Sequence, residues 1–393
     1  MTSSRKNKSI IINTEVFGTL ELIKNQVISN FSALMDDEQI RLANESGYFE
    51  GEPMPYSFGF APPSEINQHT IKQLSAGERV NLVLEGRNVG HIDVDKIFKL
   101  DKFTREKNIF LANESANGRQ LQLGEYAISG EFEIYDESIK DAKFRLKNVI
   151  KEINAKKITS VFLTADPFNR AHERLIRMTV DKADLVIVFL VRTLQENHID
   201  YAIRKRVLEF FNQNYLPEKR VFVFPLENTT LFSSHTNPTL ECIAARSFGA
   251  NKLVIGQNHA GIGMFYDHNE AHTILDRYKN ELEIEIIVLP ELVYCNQCRT
   301  LVSTKTCPHG QHHHIKYHPD IIKELLFKGI MPPAILVRPE ISAFILSELF
   351  PNRFKDVQKL CDDLFVNSGL LEKRTDRDFY EELMKLYQTS SMT

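Results

Sequence analysis

Ile158-Thr-Ser-Val-Phe-Leu163 runs straight into Thr164-Ala-Asp-Pro-Phe-Asn-Arg-Ala-His172. The first six residues form a short apolar run rich in β-branched side chains, which predicts a buried strand. A helical pattern follows at Ala171–Val180, with Asp166 or Asn169 placed to cap it. The same alternation then repeats. Apolar runs at Ala183–Leu190, Val221–Phe224, Lys252–Ile255 and Glu285–Leu289 alternate with helical patterns at Tyr201–Asn214, Pro238–Phe248 and Glu270–Tyr278. In the first of these patterns Ile203, Val207, Leu208 and Phe211 recur at helical spacing. Strands that are apolar throughout, separated by helices, imply a doubly wound parallel sheet covered on both faces, an α/β fold. Ligands of such sheets bind at the carboxyl ends of the strands. Functional residues are therefore expected after Leu163, Leu190, Phe224 and Ile255.

Outward from this core the texture changes twice. Residues 1–145 read mostly as β-structure, with alternating Val80-Asn-Leu-Val-Leu-Glu85 and Gly130-Glu-Phe-Glu-Ile-Tyr135. Residues 318–393 read as a small helical segment, with elements at Asp320–Lys328, Pro339–Leu349 and Phe379–Leu386 and a break at Pro332-Pro333. Three domains are expected: β-rich 1–145, α/β 146–317 and helical 318–393. A length of 393 residues accommodates them.

Composition narrows the function classes. With 42% apolar residues, 25% charged residues and a net charge of −4, the chain is not expected to bind nucleic acid generally. No apolar run approaches the roughly 20 residues of a membrane helix. The charged start, Met1-Thr-Ser-Ser-Arg5-Lys-Asn-Lys8, precedes too short an apolar stretch for a signal peptide. Outside one cluster the cysteines are the singles Cys242 and Cys361, which fits a reducing cytoplasm. Composition leaves room for a homo-oligomer.

That cluster is Cys295-Asn-Gln-Cys298, eight residues, then Cys307-Pro-His309-Gly-Gln-His312-His313-His314. Two cysteines on one tight turn can face a single ion, and a third with a histidine completes a tetrahedron. A closed set of four such ligands is a structural zinc site. Cys295, Cys298, Cys307 and His312 are the expected ligands. His309 is the second choice, because the Pro308-His309 step leaves little slack. The bland alternative is a surface turn with free thiols and solvated histidines.

Two strand ends carry motifs for an anionic ligand. After Leu163, Asn169 lies three residues before His172 at a helix N-terminus, where free N–H groups and the helix dipole attract an anion. An imidazole there can donate to a phosphate oxygen. Asn169 and His172 are the candidate catalytic pair, with Thr164 and Asp166 beside them as nucleotide-binding candidates. After Ile255 comes Gly256-Gln-Asn-His-Ala-Gly-Ile-Gly263, whose glycines permit close approach of backbone to a ligand. Gly256, Gln257, His259, Gly261 and Gly263 are the nucleotide-binding candidates there. Helix capping by Asn169 and a packed His172 are the competing readings.

Together these motifs resemble the ATP sulfurylase (sulfate adenylyltransferase) family. Asp166-Pro-Phe-Asn-Arg-Ala-His172-Glu is similar to its Asn-Pro-x-His-Arg-x-His-Glu. Gly256-Gln-Asn-His-Ala-Gly-Ile-Gly263 is similar to its Gly-Arg-Asp-His-Ala-Gly-Val-Gly. Tyr294-Cys295 through Gly310 resembles the zinc segment of its bacterial members. Asn214-Tyr215, Phe248-Gly249, Lys328-Gly329 through Pro332-Pro333, and Arg338-Pro-Glu-Ile341 extend the likeness over most of the chain. The resemblance implies a PUA-like N-terminal domain, an HxxH-type nucleotidyltransferase core and a small C-terminal domain. It also implies ATP with Mg²⁺, and in-line attack of sulfate on the α-phosphorus to give adenosine 5′-phosphosulfate and pyrophosphate.

The departures fall on the polar and charged positions. The family's Gln and Arg before the helix are Leu163 and Ala165, its Asn is Asp166, and its first His is Asn169. The Arg of the glycine-rich motif is Gln257. Tyr-Ala-Gly-Pro-Arg becomes Ser233 through Asn237, Thr-Lys-Pro-Gly is replaced around Thr193–Gln195, and Ser-Gly-Thr becomes His318-Pro-Asp320. A charge-assisted hydrogen bond contributes roughly 1.5–3 kcal/mol. Losing two or three costs on the order of 10³-fold in rate. Asp166 is expected to add repulsion. Arg170, Arg174, Arg192 and His235 are the candidates for compensation. Three readings stay open: a sulfate adenylyltransferase with a remodelled site, a nucleotidyltransferase with a less charged acceptor, and a non-catalytic relative.

Overall fold

The computed structural model describes residues 8–54, 57–100, 123–193, 197–233, 238–256, 265–267, 270–272, 281–353, 375–378 and 380–381. It divides into two compact units, each discontinuous in sequence. The first comprises Met1–Phe162, Ala183–Glu196 and Phe224–Leu289; the second comprises Leu163–Lys182, Asn197–Val223 and Pro290–Thr393.

The organising element is a five-stranded sheet in the order Glu285–Leu289, Lys252–Gly256, Ile158–Leu163, Leu185–Val191, Val221–Leu226. Lys252–Gly256 pairs in parallel with both Ile158–Leu163 and Glu285–Leu289. Every residue of Ile158–Leu163 and of Leu185–Val191 is buried, as their unbroken apolar sequence requires. Chain order runs outward from Ile158–Leu163 to one edge and then restarts on its other side. The reversal at this strand marks where open α/β sheets bind ligands. Phe162, Phe189, Phe224 and Phe248 form an aromatic cluster, with Phe162 stacked on Phe189 at 4.4 Å.

The N-terminal stretch holds a four-stranded sheet in the order Ser9–Ile11, Arg79–Leu84, Arg87–Lys99, Tyr126–Ile134. Glu85 and Gly86 both take positive φ, 49° and 79°, as a two-residue hairpin between right-twisted strands demands. The β-rich reading of residues 1–145 holds only in part. Helices Thr14–Lys24, Asp37–Ser46 and Glu65–Lys72 interrupt the strands, and Ser138–Glu152 follows them. Their caps were present in the sequence: Asn13 and Ser64 each accept a first-turn N–H, and Asp36 with Gln39 forms a capping box.

The second unit packs helices Arg170–Val180, Tyr201–Tyr215, Pro319–Phe327 and Pro339–Leu349 with a small antiparallel sheet. The sheet order is Thr300–Ser303, Leu292–Cys295, His314–Ile315. Phe168 lies 4.8 Å from Phe211, and Phe210 lies 5.2 Å from Phe344. The helix expected at Glu270–Tyr278 begins instead as a strand, Glu270–His272, antiparallel to Phe265–Asp267. Among the described residues no helix is long and apolar enough to cross a membrane.

Candidate functional site

The strand Ile158–Leu163 ends in a loop whose Thr164 carbonyl and Asp166 carboxylate are both engaged. Leu163 and Ala165 are buried, and Ala165 holds a left-handed φ of 50°. Thr164 turns its carbonyl to the buried Arg204, whose Nη1 donates to it at 2.6 Å. Arg204 Nε donates to the Ile199 carbonyl at 2.9 Å. Asp166 is buried: its Oδ1 accepts the Ile199 N–H at 2.9 Å, and its Oδ2 lies 3.0 Å from Lys323 Nζ. That ammonium also donates to the Asn197 carbonyl at 2.9 Å and meets Asp320 at 3.1 Å. The expectation that Asp166 repels an anion is therefore corrected, because a buried lysine neutralises it.

Asn169 is the N-cap of helix Arg170–Val180. Its Oδ1 accepts the N–H groups of Ala171 and His172 at 3.0 and 3.2 Å, and His172 Nδ1 accepts the Asn169 N–H at 3.2 Å. The Arg170 N–H donates to the Leu336 carbonyl at 2.9 Å. The first-turn donors expected to be open to an anion are thus already paired. The His172 ring, accepting at Nδ1, carries its proton on Nε2 in the neutral form. That nitrogen is the donor a phosphate oxygen needs. Phe168 stacks on the ring with centroids 5.8 Å apart.

Behind the cap, Glu173 joins motif pieces that are far apart in sequence. Its carboxylate takes Arg338 Nε at 3.2 Å, Arg170 Nη1 at 3.1 Å and Arg177 Nε at 3.3 Å. Burial alone would push this carboxyl up; Arg338, helped by Arg170 and Arg177, outweighs burial and holds it below the ordinary value. Arg338 in turn lies 4.2 Å from the centre of the Tyr215 ring. Of the compensating cations, Arg170 is committed here and Arg174 is exposed. Arg192 is half-buried; burial pushes Glu15 up, and the charge of Arg192 opposes that only slightly. His235 lies outside the described residues, as do Gln257, His259, Gly261 and Gly263, while Gly256 ends its strand.

The cysteine segment forms one group of four ligand atoms: Cys295, Cys298, Cys307 and His309. His309 Nδ1 lies 3.5, 3.3 and 3.6 Å from the three sulfurs in that order, and Cys298 Sγ lies 3.9 Å from Cys307 Sγ. A tetrahedral ion with bonds of about 2.3 Å to sulfur and about 2.1 Å to nitrogen sets these edges at about 3.8 and 3.6 Å. The donor set and the spacing therefore fit a metal ion. His312, the first choice from the sequence, is not in the group. It sits in the short turn Gln311–His313, with its ring over Gly310 and 4.0 Å from the His313 ring.

Two residues of this site were missed in the sequence, Lys323 and Arg204. Both sit in the apolar phase of their helices, Lys323 between the buried Ile322 and Leu326, and Arg204 in register with Leu208 and Phe211. A cation at a buried helical position was the available signal, since it demands a partner.

A parallel sheet reversing at its first strand, a histidine-headed helix after that strand, and a three-cysteine, one-histidine group define an α/β protein with a segment that could hold a metal ion. The chain belongs to the ATP-sulfurylase family, whose model matches residues 137–348. A sulfate adenylyltransferase of Carboxydothermus hydrogenoformans is 28% identical over 70% of this chain and 76% of its own length. One from Deinococcus deserti is 27% identical over 80% of each. Among solved structures, a hexameric APS kinase from Thiobacillus denitrificans superposes with a TM-score of 0.65 at 13% identity. That match covers 93% of this chain and 71% of the other, and it speaks to fold alone.

Proposed function

We propose that this protein is a nucleotidyltransferase of the sulfate adenylyltransferase type that has kept its hold on ATP and lost most of its hold on sulfate. The observation that carries the reading is His172, whose Nδ1 is fixed by the Asn169 N–H and whose Nε2 is thereby the donor. In the family reaction an acceptor oxygen attacks the α-phosphorus of ATP, the bond from that phosphorus to the α,β-bridging oxygen breaks, and pyrophosphate leaves; a bound Mg²⁺ would offset its charge. His172 would donate to a phosphate oxygen, and Gly256 with the segment through Gly263 would receive the nucleotide. Leu163 and Ala165, buried and uncharged, stand where the family carries Gln and Arg. They support slow use of a dianionic acceptor, on the order of 10³-fold below an intact site. Cys295, Cys298, Cys307 and His309 would hold a structural zinc ion. A PUA-like first domain, a cytoplasmic location and assembly into a homo-oligomer belong to the same reading.

The paired first-turn donors support a second reading, a relative that binds nucleotide without turnover. Two measurements separate these. ATP with Mg²⁺ should stabilise the protein by about 2.7 kcal/mol at 100 times its dissociation constant, and His172→Ala should remove the part of that gain that comes from this site. Pyrophosphate release should rise when sulfate is added, slowly but measurably. Stabilisation without release leaves the binding-only reading; absence of both defeats the proposal.

A further inference from the structure

Helix Arg170–Val180 has a cationic face that the nucleotide reading does not use. Arg170, Arg174 and Arg177 are spaced i, i+4, i+7 and so share one side of the helix. They form a row about 10 Å long. This row lines a cleft of about 360 Å³ together with Arg299, Tyr294 and Tyr317. Arg299 comes from the turn of the cysteine segment. Neither Asn169 nor His172 lines the cleft.

The electrostatics are one-sided. Four arginines line the cleft and a single carboxylate does, that of Glu173. Glu173 is buried and already taken up by Arg338, Arg170 and Arg177. Arg174 and Arg299 are exposed, and neither has an acidic partner among the described residues. In a chain of net charge −4 this is a concentrated positive surplus. All four cations are guanidinium groups, whose planar forks pair bidentately with phosphate oxygens. The volume is that of a small-molecule cleft. One tetrahedral anion cannot reach both ends of the arginine row, whereas a chain of linked phosphates can.

We infer that this cleft is a second anion site and that its ligand is a linear oligophosphate. The phosphates come either as a free inorganic chain or as the tail of a nucleoside triphosphate, and the site reads the same groups in both. It does not depend on the nucleotide reading above, because that reading rests on Asn169 and His172 and neither lines this cleft.

The test is calorimetric titration of the full chain with inorganic triphosphate, ATP without metal, orthophosphate and an oligoglutamate peptide. It is run on the wild type and on His172→Ala. Triphosphate should bind both proteins, and Arg174→Gln with Arg299→Gln should weaken it about tenfold or more in both. Equal binding of ATP assigns the site to the phosphate chain alone; tighter binding of ATP adds the nucleoside, and both support the inference. Both arginines are exposed, so an unchanged melting temperature will show that the double variant is folded. Three results would overturn the inference: no triphosphate binding to His172→Ala, an unaffected arginine variant, or orthophosphate or oligoglutamate binding as tightly as triphosphate.

Discussion

Asp166 carries a negative charge into the loop where a phosphate site tolerates one least, yet the charge is balanced within hydrogen-bonding distance. Lys323 is 1% exposed; it donates to Asp166 and the Asn197 carbonyl and pairs with Asp320. Removing Asp166 leaves that buried ammonium the exposed Asp320 and the Asn197 carbonyl, which costs at most about 3–5 kcal/mol. Asp166→Ala should therefore lower unfolding stability in denaturant titrations by up to that amount. Combining Asp166→Leu with Lys323→Met should recover much of the loss, since two apolar groups need no pairing. A double variant no more stable than the single would refute the coupling. The acid at position 166 was legible in the sequence, but its counter-ion lies 157 positions away, a separation that no local pattern spans.

At the scale of elements, legibility followed burial. The strands Ile158–Leu163 and Leu185–Val191 announce themselves because both faces are covered, leaving no polar positions to confuse the period. The N-terminal helices were hidden inside a reading dominated by alternating strands, though Asp36 with Gln39 spelled a capping box. In the cysteine segment, spacing picked out the three cysteines of the group and left its histidine open. The Pro308-His309 step, read as too stiff, in fact presents His309 on the same turn as Cys307. Two ligands from one turn match the pair Cys295 and Cys298, where the Cys298 N–H also donates to Cys295 Sγ at 3.4 Å. His309→Ala should reduce tightly bound zinc in purified protein well below one per chain and lower its melting temperature. His312→Ala should leave both unchanged. Full zinc occupancy in the first variant, read by atomic absorption, would contradict the assignment.

For the molecule as a whole, the first unit is tied together by acids on a helix that the sequence reading did not foresee. Helix Thr14–Lys24 sets Glu15 against Thr229 and Thr230 and Glu21 against Asn228 and Ser138, which joins three remote stretches of chain. Gly18 lies between them, where a Cβ would come within 2.4 Å of the Asn228 carbonyl oxygen. The sequence could not disclose this, because Phe224–Thr230 looks like an ordinary polar loop until the helix is laid on it. Burial, with the nearby Asp136 adding to it, raises Glu21 to about 7 from an ordinary value near 4.5. An acid raised by folding binds more protons in the native state than in the unfolded one. Its cost to stability is absent below the unfolded value, grows as the pH climbs toward 7, and is complete above it. Glu21→Gln mimics the protonated acid, so its stability relative to wild type should rise between pH 5 and pH 8. Denaturant midpoints for both proteins at several pH values read this difference directly. A gap that stays constant over that range would mean that Glu21 does not titrate there, and the pH sensitivity of this unit would have to come from another group.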